Sequence, residues 1–494
     1  MFRVICCFAL ALRATAADSA DPLAIYKSGD YARALPLLQQ AVAKNPKDAP
    51  LQAAYLSVLT YFGHVDDASD LADQDAQDFP KSSEVIAARG EFAFYMGDVA
   101  GAASLYKAAL ALNDKNGRAV YGLARLQRAQ SNYRSARLLC ISAHTLDPDD
   151  GLISLAYSRY LMGAVRKEFL PDFIKTHPWF YDTLDEVERT SLEMSSEIGE
   201  RKPFEIDGPK QETTVPLVYV RDGQRIVGVG IRMTIEDNKK LTLLLDTGAH
   251  GILLSQSTID RAGLNHLGST RVGGIGDKGM RNMFFAVADT CTAGNVKFKT
   301  CVFAATEGKK RAVETEDGLF GPDIFEDYLI TIDFQKPSLH LVPLPDREPS
   351  PQGYDRQPLP SEQGFTPVFR FGHHLDVATL VNKKTAGLFL IDTGSEQSMI
   401  DSTFARLSMK IHNDEYTIIH GVSGSVKNVF EADEAIIQFA SYRQRILGLT
   451  AFDLNNRPGH EEVRMDGILG IPVLQFFRLT LDYRNGLVNF ERVK

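Results

Sequence analysis

The chain has 494 residues, too many for one ordinary core, so about two to four domains are expected. With 44% apolar and 24% charged residues it reads as globular and not as disordered. The formal charge of -9 comes without a basic tract, which argues against nucleic acid and against anionic membrane surfaces as partners.

The opening residues, "MFRVICCFALALRATAADSADP", place Arg3 before a short apolar core, Val4 to Leu12, and then the small residues Ala14, Ala16 and Ala17. This resembles a secretory signal peptide over residues 1–17, and a periplasmic or secreted location is the expectation. The run is too short to span a bilayer and no later segment is long enough, so no transmembrane segment is expected. Cleavage would remove Cys6 and Cys7 and leave Cys140, Cys291 and Cys301. Cys291 and Cys301 are close enough in sequence to bridge, and two buried thiols are the equal alternative.

Residues 18–165 repeat. Gly29, Gly63 and Gly97 are 34 residues apart and Ser131 continues the series; Ala34, Ala68, Ala102 and Ala136 keep the same step. Pro46, Pro80 and Pro148 do so as well, with Asp114 in the missing slot. Small residues let paired helices cross closely, and the prolines end the second helix of each pair. The stretch "GDYARALPLLQQAVAKNPKD" and this period resemble the tetratricopeptide repeat, which implies an α-solenoid of four units and a capping helix around "ISLAYSRYLMG". The early Trp of that pattern is absent, and Asp75 stands where a small residue is expected. Such an arm offers a concave surface to a peptide or protein partner, or serves as a structural or dimerising element. Residues 166–209, with the single Trp179, read as a helical connector.

From about residue 210 the texture turns to short β-branched runs punctuated by Gly, the pattern of an all-β region. This region contains itself twice. Asp246-Thr247-Gly248 matches Asp392-Thr393-Gly394 at a separation of 146. "GGIG" (Gly273, Gly274, Ile275, Gly276) matches "GVSG" (Gly421, Val422, Ser423, Gly424) at 148, and "GLFGPDIFEDYLITIDF" matches "GILGIPVLQFFRLTLDY" at 149. Three landmarks in one order imply a duplicated lobe, residues 210–345 and 364–494, with a Pro-rich linker over 346–363. At about 3.1 Å per residue such a linker can bridge two packed lobes.

An acidic residue after an apolar strand, then Thr-Gly, a Gly-rich hairpin and two apolar residues before Gly resemble the pepsin and retropepsin group of aspartic peptidases. Both hairpins and Ala249 make the likeness closer to bacterial retropepsin-like domains. The resemblance implies a multidomain α plus β chain, a repeat arm followed by a duplicated all-β aspartic-peptidase fold. It further implies endopeptidase activity on a peptide or protein substrate, with Asp246 and Asp392 as the catalytic pair and no metal or other cofactor. The alternative is a peptide-binding or assembly protein that keeps the fold without turnover.

Elementary chemistry supports the same residues. Peptide hydrolysis needs a base to take a proton from water and an acid to polarise the carbonyl, and two carboxylates sharing one proton supply both. Gly248 and Gly394 let amides approach the carboxylates, and the Thr247 and Thr393 hydroxyls are suited to tying one loop to the other. The two Gly-rich hairpins are candidate flaps. Ser395 is expected to donate its hydroxyl to Asp392, whereas Ala249 has none to offer, which would make Asp392 the ionised partner. Gly274, Gly276 and Gly279 happen to fit a dinucleotide-binding spacing, but strand-like residues follow where a helix is needed. Adjacent His373 and His374 suggest surface residues pointing to opposite faces.

Overall fold

The computed structural model describes residues 21–493 apart from positions 162, 185–191, 193, 195–197, 200, 237–238, 273–274, 277–278, 280, 307–316, 349, 351, 422–423 and 456–461. The expected signal peptide therefore lies outside the described residues.

The 34-residue period becomes helix pairs. They are α1 (Pro22–Ser28) with α2 (Tyr31–Lys44), α3 (Ala49–Tyr61) with α4 (Val65–Asp78), α5 (Ser83–Tyr95) with α6 (Val99–Leu112), and α7 (Gly117–Ala129) with α8 (Tyr133–Leu146). A fifth pair, α9 (Gly151–Ser158) and α10 (Gly163–Thr176), closes the series. Each of the first four pairs turns at a left-handed residue: Gly29, Gly63 and Gly97 at φ 83°, 67° and 78°, and Ser131 at 60°. Ser131 thus takes the glycine conformation without being glycine, at a cost of the order of 1 kcal/mol. Ala34, Ala68, Ala102 and Ala136 are fully buried where the helices cross. Asp75, the departure from the pattern, is also buried, and its carboxyl is pushed up to about 6 by burial and by Asp78, against Arg89.

The arm curls until its ends touch. Lys27 pairs with Asp147 at 3.1 Å, Trp179 Nε1 donates to the Ser28 carbonyl at 3.3 Å, and Gly29 leaves no room for a Cβ beside Phe180. Arg118 of α7 crosses the interior to bond Asp150 and the Tyr31 hydroxyl, with its guanidinium 4.8 Å over the Tyr26 ring. Arg118 and its partners thus take up part of the arm's inner face. The second lobe also meets the arm: Arg125 and Arg128 of α7 bond the Glu462 carbonyl (3.0 Å) and carboxylate (3.2 Å). Val463 and Leu388 are buried with Ile86, Phe94 and Leu126 of the arm. The linker also packs on the arm, with the Ser135 amide and hydroxyl both 2.9 Å from the Asp355 carboxylate.

Alternating burial along the strands sets the sheets. A 14-stranded sheet joins the first lobe to the chain's last strands, a 10-stranded sheet forms most of the second lobe, and a two-stranded hairpin stands apart. Tyr328–Asp333 pairs antiparallel with Phe477–Asp482, its own duplicate, so that Thr331 faces Thr480. That pairing relates the two lobes by a local two-fold axis. Cys291 and Cys301, left open by the sequence, are joined as a disulfide across the Arg281–Ala293 and Val296–Thr306 hairpin. Among the described residues no helix is long and apolar enough to cross a membrane.

Candidate active site

In each lobe the acidic loop leaves a strand held on a parallel partner. Lys239–Leu245 lies beside Gly318–Phe320, and the Asp246 amide donates to the Phe320 carbonyl at 3.0 Å. Thr385–Ile391 lies beside Gly467–Leu469, and the Asp392 amide donates to the Leu469 carbonyl at 3.0 Å. The Gly after each two-apolar motif, Gly321 and Gly470, sits against the loop backbone at a point where a Cβ could not fit.

The two threonines exchange across the two-fold axis. The Thr247 hydroxyl donates to the Ile391 carbonyl at 2.6 Å and accepts the Thr393 amide at 3.0 Å. The Thr393 hydroxyl donates to the Leu245 carbonyl at 2.7 Å and accepts the Thr247 amide at 3.1 Å. Both residues are buried, so all four bonds are shielded from water. This lock fixes the carboxylates that follow from the same loops. The Gly248 amide donates to Asp246 Oδ1 at 2.8 Å and the Gly394 amide to Asp392 Oδ1 at 2.9 Å. A Cβ on Gly248 would stand 3.0 Å from Asp392 Cγ, and one on Gly394 would overlap the Asp246 carboxyl.

Asp246 and Asp392 meet. A hydrogen bond joins the two carboxyl groups, and burial raises the Asp392 carboxyl above its ordinary range against that bond and the amides of Gly394 and Ser395. Two carboxyl groups in contact retain a proton between them, because like charges at that range cannot both ionise. Tyr483, fully buried, is held well above the usual phenol range by burial first and then by Asp323, with Arg370 opposing and both Asp246 and Asp392 adding.

Two expectations need correction. The Ser395 hydroxyl donates to the Gln397 carbonyl at 2.8 Å, so its single hydrogen is not available to Asp392; the Ser395 amide is the donor instead. His373 is not a surface residue, for it is half-buried with its Nε2 3.0 Å from the Gly248 carbonyl oxygen. Two further residues escaped the sequence reading. His250 Nδ1 lies 2.5 Å from Asp323 Oδ2, and the other oxygen of Asp323 accepts the Gly251 amide at 3.0 Å. Asp323 is embedded in "GLFGPDIF", where its neighbours draw attention as core, and nothing local links it to a loop over seventy residues away.

The two Gly-rich segments are hairpin tips. Leu267–Val272 pairs with Arg281–Ala293, and Ile419–Gly421 with Gly424–Val426. Gly273, Gly274, Val422 and Ser423 lie outside the described residues. Ile275 packs with Leu390, Met399, Ile419 and Ile468 of the second lobe, and Gly421 lies against its carbonyl with no room for a Cβ. Gly276 and Gly424 have φ of 141° and 117°, turns that other residues rarely make. The tips therefore touch each other beside Leu390, two residues before Asp392.

Comparison with known families finds a model described as aspartyl protease over residues 231–324 and one described as tetratricopeptide repeat over 26–91 and 93–160. The first spans Asp246 and the Gly318–Gly321 motif of the first lobe. Comparison with curated proteins finds no match. The chain is an N-terminal helical tetratricopeptide region followed by a β-rich region that contains an aspartyl protease domain.

Proposed function

We propose that the chain is a retropepsin-like aspartic endopeptidase in which Asp246 and Asp392 share one proton and activate a water between them. The observation that carries this reading is the bonded carboxyl pair at the centre of the reciprocal threonine lock. In the first step the ionised carboxylate takes a proton from water as it attacks the peptide carbonyl. The protonated carboxyl gives its proton to the carbonyl oxygen. The tetrahedral gem-diol then breaks at C–N as the amine receives the proton taken from water, while a hydroxyl of the gem-diol gives its proton to the other carboxylate and becomes the carbonyl of the product acid, which restores the shared proton. Asp246 is the protonated member in this reading, since the Ser395 amide is a further donor favouring charge on Asp392, whereas the equivalent Ala249 amide donates to the Asp246 main-chain carbonyl. The hairpin tips at Ile275 and Gly421 act as flaps and must part to admit a peptide.

A periplasmic or secreted location is part of the same proposal, supported by the leader-like residues 1–17 and by the Cys291–Cys301 bridge, which suits an oxidising compartment. Tetratricopeptide repeats suggest a protein partner for the arm.

Incubation of the purified full chain with a mixed peptide library, with and without a pepstatin-type inhibitor, tests the reading. Internal cleavage that the inhibitor stops is the expected result. Absence of cleavage from acid to neutral pH, or cleavage indifferent to the inhibitor, would sink it.

A further inference from the structure

The two acidic loops share their sequence yet are fastened differently. In the second lobe the Ile471 amide donates to the Ser395 carbonyl at 2.9 Å. The equivalent of Ile471 in the first lobe is Pro322, which has no N–H, so the corresponding bond to Ala249 cannot form. Side chains stand there instead. Asp323 grips the Gly251 amide and His250, and His373 reaches across from the second lobe to the Gly248 carbonyl. A carbonyl oxygen only accepts, so His373 Nε2 carries the hydrogen. The His250 and His373 rings lie 5.6 Å apart. Glu396, Pro472 and Val227 occupy the equivalent positions, so the set has no duplicate.

Gly248 is the point at which this set meets the carboxyl pair. Its amide aims at Asp246 Oδ1, it faces Asp392, and a glycine backbone has the widest freedom of any residue. A bond to its carbonyl restricts the torsion between the two peptide planes and so holds the amide on the carboxylate. We infer that His373 is a positioning residue for the Asp246 loop, acting through Gly248 with His250 and Asp323 as its brace, in place of the backbone bond that Pro322 removes.

The charged groups around the imidazole are consistent with this role. His250 and Asp323 face it from the first lobe and His374 adjoins it at 4.3 Å between rings. Arg370, 3.8 Å from Glu326, stands near Asp323. Burial acts to raise Asp323, but His250, His373 and the Gly251 amide outweigh it and keep the carboxyl below its ordinary range. The brace is thus ionised and holds the His250 ring, which lies beside that of His373.

Only the kinetic part of the test rests on the peptidase reading. In the full chain, His373→Ala releases the Gly248 carbonyl, loosens the amide on Asp246 and raises the apparent pKa of the carboxyl pair by about half a unit to one unit. Carbon-13 NMR of the aspartate carboxyls reads that shift with or without turnover. On a cleaved peptide, kcat falls about tenfold with KM within about twofold, and the acidic limb of the profile moves up in pH. His373→Gln, whose side-chain N–H reaches a similar distance, restores the parent titration, and so does Pro322→Ala added to His373→Ala, by returning an amide to the Ala249 carbonyl. The inference is overturned if His373→Ala titrates like the parent, or if His373→Gln folds yet shifts as far as the alanine variant. An inactive parent whose titration still moves with His373→Ala would remove the peptidase reading and leave this inference standing.

Discussion

The first lobe carries its own braces. The Cys291–Cys301 bridge closes its long hairpin, and His250 with Asp323 clamps its acidic loop from within. The second lobe has neither and leans on the arm. Arg464 donates its amide to the Tyr95 carbonyl at 2.9 Å in the α5–α6 turn, while its guanidinium lies 2.5 Å from Asp401 and 3.1 Å from Asp466. Asp466 accepts the Leu388 amide at 3.0 Å and immediately precedes the strand Gly467–Leu469 that holds Asp392. Thr247 and Thr393, which meet across the duplication, are alike, whereas His250, Asp323 and His373 have Glu396, Pro472 and Val227 at the equivalent positions.

If the carboxyl pair is the shared part of both lobes, its two members should be equally indispensable. Asp246→Asn and Asp392→Asn are each expected to reduce kcat by about 10³-fold or more, with thermal unfolding close to the parent's. A large difference between the two rates would show that the lobes contribute unequally to the chemistry.

The buried ion cluster of the second lobe, beside its contact with the arm, is tested at Arg464. Its removal leaves two buried carboxylates without their cation, and Arg464→Ala should lower unfolding stability by about 3–5 kcal/mol. The loss should depend on pH. Burial raises the Asp466 carboxyl to about 7, with Arg464 opposing, and its unfolded value is the ordinary carboxylate one near 4. A carboxyl whose folded pKa is raised withdraws stability as pH rises through the interval from about 4 to about 7, and the withdrawal is complete above it. Without Arg464 the folded value climbs further, so chemical denaturation at pH 8 should show a larger deficit than at pH 5. Equal deficits would mean that Asp466 is not part of the cluster.

The first lobe's own bracing is tested at its bridge. Cys291 and Cys301 are ten residues apart, and replacing both by Ala should cost about 2–3 kcal/mol through the freed loop. Denaturation followed by a fluorophore on each lobe should show the first lobe losing stability and the second holding its midpoint.

Much of this organisation is legible in the sequence because it repeats. The 34-residue step marks the turn within each of the first four helix pairs, and even Ser131 reads correctly once it is seen in the glycine slot. Asp246, Asp392 and the Thr-Gly pairs are equally legible, since each copy vouches for the other. What duplication cannot reveal is contact between unlike parts. His373 bonds a residue 125 positions away in the other lobe, and Glu462 enters a groove whose lining, Arg125 and Arg128, looks like an ordinary charged helix face. Ser395 misleads for a local reason, as its hydroxyl has a backbone carbonyl two residues on and prefers it.

The smallest effect lies on the axis of the comparison itself. Thr331 and Thr480 are equivalent residues that face each other in the strand pair joining the lobes, their hydroxyls 3.1 Å apart. Either Thr→Val change deletes one partner and leaves the other hydroxyl unpaired in a largely buried place, which costs about 1 kcal/mol. Valine has nearly the shape of threonine and the same preference for strands, so the double variant removes both polar groups without a cavity. Its cost should be smaller than the sum of the singles, with a coupling of about 0.5–1 kcal/mol in a double-mutant cycle. Thr331→Val should be the slightly costlier single, since it leaves unpaired the hydroxyl of the more buried Thr480, beside Asn489, whereas Thr480→Val leaves that of the less buried Thr331, beside His340. Strict additivity would mean that the hydroxyls bond elsewhere.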